Sequence, residues 1–219
     1  MTEKTDVVYR AATGSVLWNL LPANGGRLVV LEERSEQQQQ VAFVCITEAG
    51  KELWRRTDLP EPWWINLVYV GNAHVWLRKF ESTANPDAAR WLVLNLETGV
   101  ETTATPEPEN TISALRPFVY LQGEPDFETV ATFMKKIGAP IFLGAEYREH
   151  GGYLFISGYT GQPANYTNML WCLRQDGTLC WQQQIGTNLK GIGTGTFFIA
   201  GSRLFFVKNK TELVTFRIV

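Results

Sequence analysis

The sequence of 219 residues has few of the side chains that build metal centres and disulfide frameworks. It contains three cysteines and two histidines, and no two cysteines have the Cys-x-x-Cys spacing of a thiolate site. An odd number of cysteines in a chain without a secretion signal also argues against a disulfide framework. We therefore expect no metal site and no cofactor.

Excess positive charge and long apolar runs are also missing. The 20 Lys and Arg residues are spread thinly against 22 Asp and Glu, which gives a net charge of −2 and none of the basic stripe that nucleic-acid binders need. No segment approaches the roughly 18 consecutive apolar residues of a membrane span. The first ten residues carry early acids and no apolar run, unlike a signal peptide. We expect a cytoplasmic protein with no nucleic-acid or membrane partner.

Apolar and aromatic residues, by contrast, are plentiful. Apolar residues make up 45% of the chain and aromatic residues 12%, including eight Trp and twelve Phe. This is enough to fill a sizeable core, and aromatic side chains pack well on pleated sheets. The length fits a single domain over residues 1–219.

A strand–turn–strand pattern recurs along the chain. In each copy a β-rich run leads to a polar residue and then Gly, which supplies the positive φ that tight hairpin loops need. A second β-rich run follows, with Trp four residues after the Gly in three of the four copies; Thr103 takes that place in the other. We therefore predict four β-hairpins. The copies are Val7–Trp18, Phe43–Trp54, Leu92–Thr103 and Leu170–Trp181, with the glycines Gly14, Gly50, Gly99 and Gly177.

Strand candidates between the hairpins complete an all-β pattern. The four glycines lie 36, 49 and 78 residues apart, and the last interval is twice 39, so a hidden copy is predicted at Gly138. Periods near 40 residues with a turn-then-Trp signature favour a small β-propeller of about five blades. Pairing of Ser15–Leu21 with the C-terminal strands would close the ring. The other candidates are Arg27–Glu33, Ile65–Val70, His74–Phe80, Phe118–Gln122, Tyr153–Tyr159, Thr196–Ala200, Arg203–Lys208 and Leu213–Val219.

The segment before Gly138 has a second interpretation. As a degenerate hairpin it would place Pro140 inside a strand, where proline is poorly tolerated. As a short amphipathic helix, residues 126–137 would begin at Asp126 as N-cap and present apolar residues at helical spacing. Short segments do not distinguish the two by periodicity, so both remain open at this point.

The repeat also carries a family resemblance. The segments Thr13–Trp18 and Glu48–Trp54 resemble the blades of quinoprotein-type (pyrroloquinoline-quinone-dehydrogenase-like) propellers. The chain as a whole resembles an uncharacterised bacterial family classed as a domain of unknown function. The resemblance implies a propeller architecture and no particular activity. It rests on Pro62–Trp64, Glu146-Tyr147, Gly191–Ile199 and Val207–Leu213.

Two local features are candidate ligand-binding positions. Trp63 and Trp64 are adjacent, and neighbours on a strand face opposite sides, so one can be buried while the other stacks on a sugar or a protein partner. Glu146 beside Tyr147 in a β-rich run is the carboxylate with the best claim to a ligand role. No catalytic residue is identified, because neither histidine lies in a recognisable triad.

Three further features have ordinary structural explanations. The Gly191–Gly195 run resembles a phosphate loop, but a strand follows it where the dinucleotide fingerprint needs a helix. The run Gln37–Gln40 is predicted to be a solvated hairpin loop. The cysteines occupy strand positions of the repeat, so we expect them in the core.

These observations lead to two hypotheses about function. The first is a non-enzymatic binding or scaffold module for a protein or small molecule, since a repeat rich in aromatics carries no catalytic signature. The alternative is a carbohydrate-acting or lectin-like protein. It would use aromatic and acidic residues on one face, drawn from Glu32, Glu33, Asp58, Glu61 and Glu146.

Overall fold

The computed structural model describes residues 5–81, 85, 88–103, 114–162 and 165–218. The protein is all-β, with 60% of its residues in strands and one α-helix in the described part. The strands are β1 (Thr5–Arg10), β2 (Val16–Ala23), β3 (Leu28–Ser35), β4 (Gln40–Thr47), β5 (Glu52–Arg56), β6 (Ile65–Val70), β7 (His74–Phe80), β8 (Ala89–Asn95), β9 (Glu101–Thr102), β10 (Phe118–Leu121), β11 (Phe142–His150), β12 (Tyr153–Gln162), β13 (Asn165–Arg174), β14 (Leu179–Leu189), β15 (Phe197–Ala200), β16 (Arg203–Lys208) and β17 (Glu212–Arg217), and the helix is α1 (Pro125–Lys136).

The strands form four separate antiparallel sheets. Sheet I has the order β2-β3-β4-β5, sheet II β6-β7-β8-β9 and sheet III β10-β11-β12-β13-β14. Each of these follows chain order, as expected where short turns join neighbouring strands. Sheet IV has the order β1-β17-β16-β15, so it combines the N-terminal strand with the last three strands of the chain.

Three of the four predicted hairpins are confirmed. The turns at Gly50, Gly99 and Gly177 join β4 to β5, β8 to β9 and β13 to β14, and each glycine has positive φ. The hairpin predicted at Gly14 is wrong, because β1 and β2 belong to different sheets. The flanking backbone instead donates hydrogen bonds from Ala11 and Leu17. The acceptors, Thr211 O and Lys210 O, lie in the turn between β16 and β17.

The predicted pairing of Ser15–Leu21 with the C-terminal strands is wrong. β1 lies beside β17, whereas β2, which contains most of Ser15–Leu21, pairs with β3 from Val16↔Arg34 to Ala23↔Leu28. The loop predicted at Gln37–Gln40 is confirmed for residues 37–39, whereas Gln40 already belongs to β4. β3 and β4 pair from Leu28↔Thr47 to Ser35↔Gln40.

The segment before Gly138 is the helix α1. The predicted cap at Asp126 is wrong: the N-cap is Glu124, Pro125 stands in the first turn, and Asp126 follows it. At the other end Gly138 N donates to Lys135 O (3.1 Å) and Ala139 N donates to Met134 O (2.9 Å), with Gly138 at φ +80°. This is a Schellman motif, so the glycine that matches the repeat spacing follows the C-cap Ile137 and ends the helix.

The chain divides into two compact units. The first unit, Val7–Ala114 with Lys210–Glu212, contains sheets I and II and a core between them. The core includes Cys45, which is fully buried as expected. Burial raises the pKa of its thiol to about 12.

The second unit contains Leu115–Asn209 and the last residues of the chain. Sheet III buries both faces there: Phe155 and Cys172 pack in one core with residues of sheet IV, and Ile156 and Trp171 pack in another with α1. Cys172 is fully buried as expected, and Cys180 is half-buried against the first of these cores.

Two tryptophans of the repeat connect neighbouring sheets within a unit. Trp54 on β5 donates from Nε1 to Leu96 O (2.7 Å), and a Cβ at Gly99 would lie 2.7 Å from its ring. Trp181 on β14 has ring centroids 6.1 and 5.2 Å from Phe206 and Phe216. In both cases the Trp after the glycine packs against the next sheet.

Among the described residues no helix is long and apolar enough to cross a membrane. The cytoplasmic location and the single domain over residues 1–219 stay predictions.

Candidate functional site

The adjacent tryptophans lie in a 3-10 helix, Pro62–Trp64, and not in a strand as predicted. Pro62 favours this turn because its ring fixes φ near the helical value. The two side chains nevertheless differ as expected: Trp63 packs partly buried against the core of the first unit, and Trp64 is 41% exposed.

Trp63 forms one side of an aromatic sandwich around Arg34. The guanidinium carbon of Arg34 lies 5.2 Å from the Trp63 ring centroid and 5.4 Å from that of Trp18. Both distances are within cation–π range, and such contacts strengthen when the cation is shielded from water. Arg34 is shielded, since it is only 7% exposed.

The hydrogen bonds of Arg34 hold it in this orientation. Nε donates to Glu32 Oε1 (2.6 Å), and Nη2 donates to Ile65 O and Asn66 Oδ1 (both 2.7 Å). Nη1 donates to Trp63 O (3.2 Å). All three guanidinium nitrogens of Arg34 donate hydrogen bonds within the protein, which fixes the guanidinium against one face of the Trp18 ring.

Glu32 is the buried partner of Arg34. Its side chain is inaccessible to solvent, and Oε2 accepts a hydrogen bond from Leu67 N (2.7 Å). Burial raises the pKa of Glu32, and the Leu67 hydrogen bond and the Arg34 charge partly offset this rise. With both carboxylate oxygens engaged, Glu32 has a structural role here.

Trp18 forms one wall of a surface groove. The groove has a volume of about 830 Å³, and Trp18 is 62% exposed. We call it the Trp18 groove. Its lining residues are Gly14, Val16, Leu17, Trp18, Arg34, Glu36, Gln37 and Lys210.

Lys210 reaches this groove from a strained turn. Asn209, Lys210 and Thr211 connect β16 to β17, and the first two have φ of +52° and +61°. Positive φ favours glycine, because a Cβ strains this backbone conformation. A lysine there costs about 1 kcal/mol relative to glycine.

Glu146 lies in the second unit and is only 3% exposed. Its carboxylate accepts hydrogen bonds from Gly195 N, Thr196 N (2.9 Å) and Thr196 Oγ1. Burial raises the pKa of Glu146, while these donors and the charge of Arg116 lower it. Glu146 therefore ties the segment before β15 to sheet III.

The glycine-rich run Gly191–Gly195 is part of this arrangement. Gly193 N donates to the Tyr159 hydroxyl (2.6 Å), which donates to Gly193 O (3.1 Å), and Gly195 N donates to Glu146. The strand β15 follows, in agreement with the predicted strand at Thr196–Ala200. These two backbone N–H groups are therefore engaged within the protein.

Tyr147 follows Glu146 on β11 and faces the opposite side of sheet III, because successive side chains of a strand alternate. It lies 6.5 Å from Tyr120 between ring centroids, and its hydroxyl donates to Glu149. Tyr147 lines a second groove of about 330 Å³, which we call the α1 groove. The predicted pair Glu146 and Tyr147 therefore does not form one site.

Each of the other candidate carboxylates has its own polar or charged partner within the protein. Glu33 accepts a hydrogen bond from the Tyr9 hydroxyl and lies 3.4 Å from Arg55 Nη1. Arg56 lowers the pKa of Asp58, and Lys79 lowers that of Glu61. The Trp18 groove and the α1 groove each have a single carboxylate in their described lining, Glu36 and Asp126. Neither groove thus offers the paired carboxylates of glycoside hydrolysis.

Histidine and cysteine contribute no cluster to the described lining of either groove. In the part of the chain that the structure describes, no three His, Cys, Asp or Glu side chains are grouped as metal ligands. His74 packs edge-on against Trp76, with centroids 5.6 Å apart.

Sequence reasoning missed Trp18, Arg34 and Lys210 as site residues. Trp18 aligns with Trp54 and Trp181 in the repeat, so the pattern alone does not mark it as exposed. One signal is present: the charged triplet Glu32-Glu33-Arg34 ends a strand that is otherwise apolar, and buried charges require partners.

A comparison with protein families matches part of the chain. A family described as a domain of unknown function (DUF4905) matches residues 23–101, which cover sheet I from β3 onward, sheet II and Pro62–Trp64. The resemblance expected at Glu146-Tyr147, Gly191–Ile199 and Val207–Leu213 lies outside this match.

Comparisons with individual proteins add little. No curated protein matches the chain. A solved structure from a structural and mechanistic analysis of two prolyl endopeptidases matches with 15% identity and a TM-score of 0.33. The match covers 98% of this chain and 28% of that chain. The likeness is too weak to assign a fold or an activity.

Proposed function

We propose that the protein is a non-enzymatic binding module and that the Trp18 groove holds its ligand. The observation that carries this proposal is the environment of Trp18. One face of its ring lies on the buried Arg34 guanidinium, and the side chain is 62% exposed. Because the buried cation fixes its position, the exposed ring offers a flat apolar face on which a ligand can stack.

Contact with the fixed Arg34 guanidinium makes the Trp18 ring a pre-organised stacking surface. Arg34 is held by Glu32 and by backbone carbonyls, so Trp18 loses little freedom when a ligand arrives. Pre-organisation increases affinity by reducing the entropy that binding must remove. Aromatic side chains also offer a large contact area for few rotatable bonds.

Polar side chains surround this surface. Lys210 and Gln37 supply donors, and Glu36 supplies an acceptor, at positions that line the same groove. A small molecule with a flat ring or sugar face and polar substituents fits this combination. The strained conformation of Lys210 supports a functional reason for lysine where a turn favours glycine.

The first test compares two exposed tryptophans. A thermal-shift screen of sugars, quinones and nucleotides would identify a ligand, and titration would give its Kd. Trp18→Ala should weaken binding at least about fivefold, because stacked aromatic contacts contribute about 1 kcal/mol or more. Trp64→Ala is the matched control, since Trp64 is exposed but does not line the groove. Equal affinities of the two variants would contradict the proposal.

Lys210→Gly separates binding from folding. Relief of the positive φ should raise the free energy of unfolding by about 0.5–1 kcal/mol. Loss of the ammonium group should weaken the binding of a polar ligand several-fold. A variant that is more stable and binds equally well would remove Lys210 from the site.

Carbohydrate remains the second candidate, as a ligand and not as a substrate. An exposed tryptophan with a rim of Lys, Glu and Gln suits a sugar ring, which stacks its C–H face on the indole and hydrogen-bonds at its edge. Binding of a sugar without turnover would favour it. Hydrolysis of a glycoside that is lost in a single-residue variant would contradict the non-enzymatic proposal.

The proposed architecture behind this site is a small quinoprotein-type propeller. The packing of Trp54 and Trp181 against a neighbouring sheet supports it, since each follows a turn glycine as in the blade motif. With Gly138 serving as a helix cap, the proposed number of blades is four, one for each sheet. A crystal structure would test whether the sheets close into a ring.

A further inference from the structure

The α1 groove is separate from the Trp18 groove and has different chemistry. It lies between α1 and the face of sheet III on which the helix packs. Asp126, Thr129, Val130 and Phe133 occupy one face of the helix, at the spacing that aligns side chains along a helix. Tyr120, Tyr147, Leu154 and Ile156 of the sheet complete the lining.

Aromatic rings form much of this groove. The ring centroids of Tyr120 and Tyr147 lie 6.5 Å apart with an interplanar angle of 34°, and Phe133 of α1 also lines the groove. Each of these three side chains keeps some exposure to solvent, so part of its ring surface is open to the groove. Electron-rich ring faces attract cations, and a methylated ammonium is desolvated more easily than a primary one.

The charges at the groove are negative. Asp126 is exposed in the first turn of α1 and lines the groove. Glu149 accepts the hydrogen bond of the Tyr147 hydroxyl. Burial and the neighbouring Glu149 raise the pKa of Tyr147, so its phenol stays neutral and donates to that carboxylate. No Lys or Arg is among the described residues that line the groove.

We propose that the α1 groove binds an organic ammonium cation with an apolar body, such as a trimethylammonium group. The aromatic rings would contact the methylated head, Asp126 would balance its charge, and Val130 and Leu154 would pack against the apolar part. The site is independent of the Trp18 groove, so failure of either proposal leaves the other standing.

The test uses a charged probe and its neutral isostere. Choline and 3,3-dimethylbutan-1-ol have nearly the same shape, and only choline is charged. NMR titration of the whole protein should give choline a Kd at least about fivefold lower, in keeping with a cation–π and ion-pair contribution near 1 kcal/mol. Equal affinities, or tighter binding of the alcohol, would overturn the proposal and leave the groove a purely apolar one.

Charge-matched variants place the effect in the groove. Asp126→Asn should weaken choline binding several-fold and leave the binding of 3,3-dimethylbutan-1-ol unchanged. Glu128→Gln is the control, because this substitution removes the same charge from the first turn of α1 at a residue that does not line the groove. If Glu128→Gln weakens choline as much as Asp126→Asn does, the charge effect is not specific to the groove and the proposal fails.

Tyr147 gives a second readout. Tyr147→Phe keeps the ring and should retain most of the choline affinity. Tyr147→Leu removes the ring and should raise the Kd for choline about fivefold or more. Folding of each variant is checked by its amide NMR spectrum. Equal retention of choline by Tyr147→Leu would exclude the ring from the site and overturn the proposal.

Discussion

Trp18, Trp54 and Trp181 occupy the same place in the repeated sequence, four residues after a glycine, yet they have three different environments. Trp54 is 8% exposed and donates a hydrogen bond to Leu96 O, and Trp181 packs beside Phe206 and Phe216. Trp18 is 62% exposed above Arg34. At the scale of the residue, the repeat sets the position of each tryptophan in the sequence, and the neighbouring sheet determines whether its side chain is buried or exposed.

Glu146 shows the same dependence on distant partners and leads to a prediction about pH. Burial raises its folded pKa above the usual 4.5, so the folded state keeps a proton over a range in which the unfolded state has lost it. The contribution of this carboxyl to the free energy of unfolding therefore falls as pH rises through that range. Glu146→Gln has no such titration.

We expect Glu146→Gln to lower the free energy of unfolding by about 1–3 kcal/mol, since an amide cannot accept all the hydrogen bonds that reach the two carboxylate oxygens. The deficit relative to the natural protein should be larger at about pH 5 than at about pH 7, because the raised pKa adds stability only while the folded carboxyl keeps its proton. Urea unfolding at both values checks this, with Glu128→Gln on the exposed side of α1 as control. A deficit that does not change with pH would contradict the raised pKa.

Glycine turns organise the elements, and two of them show how different their requirements are. Gly138 ends α1 with φ +80°, and no heavy atom lies within 4 Å of the position that a Cβ would occupy there. Gly99 joins β8 to β9 with φ +68°, and a methyl group there would lie 2.7 Å from the Trp54 ring. The first glycine serves backbone conformation alone, and the second also makes room for a side chain of another sheet.

This contrast predicts unequal costs for the same substitution. Gly138→Ala should lower the free energy of unfolding by about 1 kcal/mol, the strain of positive φ for a residue with a Cβ. Gly99→Ala adds a clash with the Trp54 ring and should cost a further 1–3 kcal/mol or so, typical of overpacking. Urea unfolding of both variants measures the difference. Equal costs would show that the Trp54 ring moves aside freely.

On the scale of the whole molecule, sheet IV brings the first strand to the last strands of the chain. β1 lies beside β17, and the Tyr9 hydroxyl on β1 also donates to Glu33 of sheet I. A Cβ at Gly50 would lie 2.0 Å from Val8 O, so β1 also closely approaches the β4–β5 turn. The N-terminal strand is therefore part of the packed structure.

Removal of residues 1–10 should be strongly destabilising. Without β1 the backbone of β17 presents an unpaired edge, which favours association with other chains. We expect loss of several kcal/mol of stability, or aggregation visible in size-exclusion chromatography, because a ladder of hydrogen bonds and its side-chain packing are lost. Tyr9→Phe, which keeps the strand, should cost only about 1 kcal/mol. A monomeric truncated protein of unchanged stability would contradict this role of β1.

The amino-acid sequence by itself determined the features that depend on neighbouring residues. The hairpins at Gly50, Gly99 and Gly177, the all-β class and the burial of Cys45 and Cys172 follow from turn glycines and from the period of strands, which act over a few residues. The helix over residues 126–137 was one of two open interpretations, because its apolar spacing and the glycine at its end fit both a helix and a hairpin.

Contacts between distant segments were decided by the tertiary structure. β1 pairs with β17 and not with β2, Arg34 lies between Trp18 and Trp63, and Glu146 binds a segment about fifty residues away. No local pattern encodes such partners, because each depends on which buried charges and backbone donors meet once the sheets have packed. For the same reason both grooves emerged only from the fold, whereas the turn glycines of the repeat were visible in the sequence.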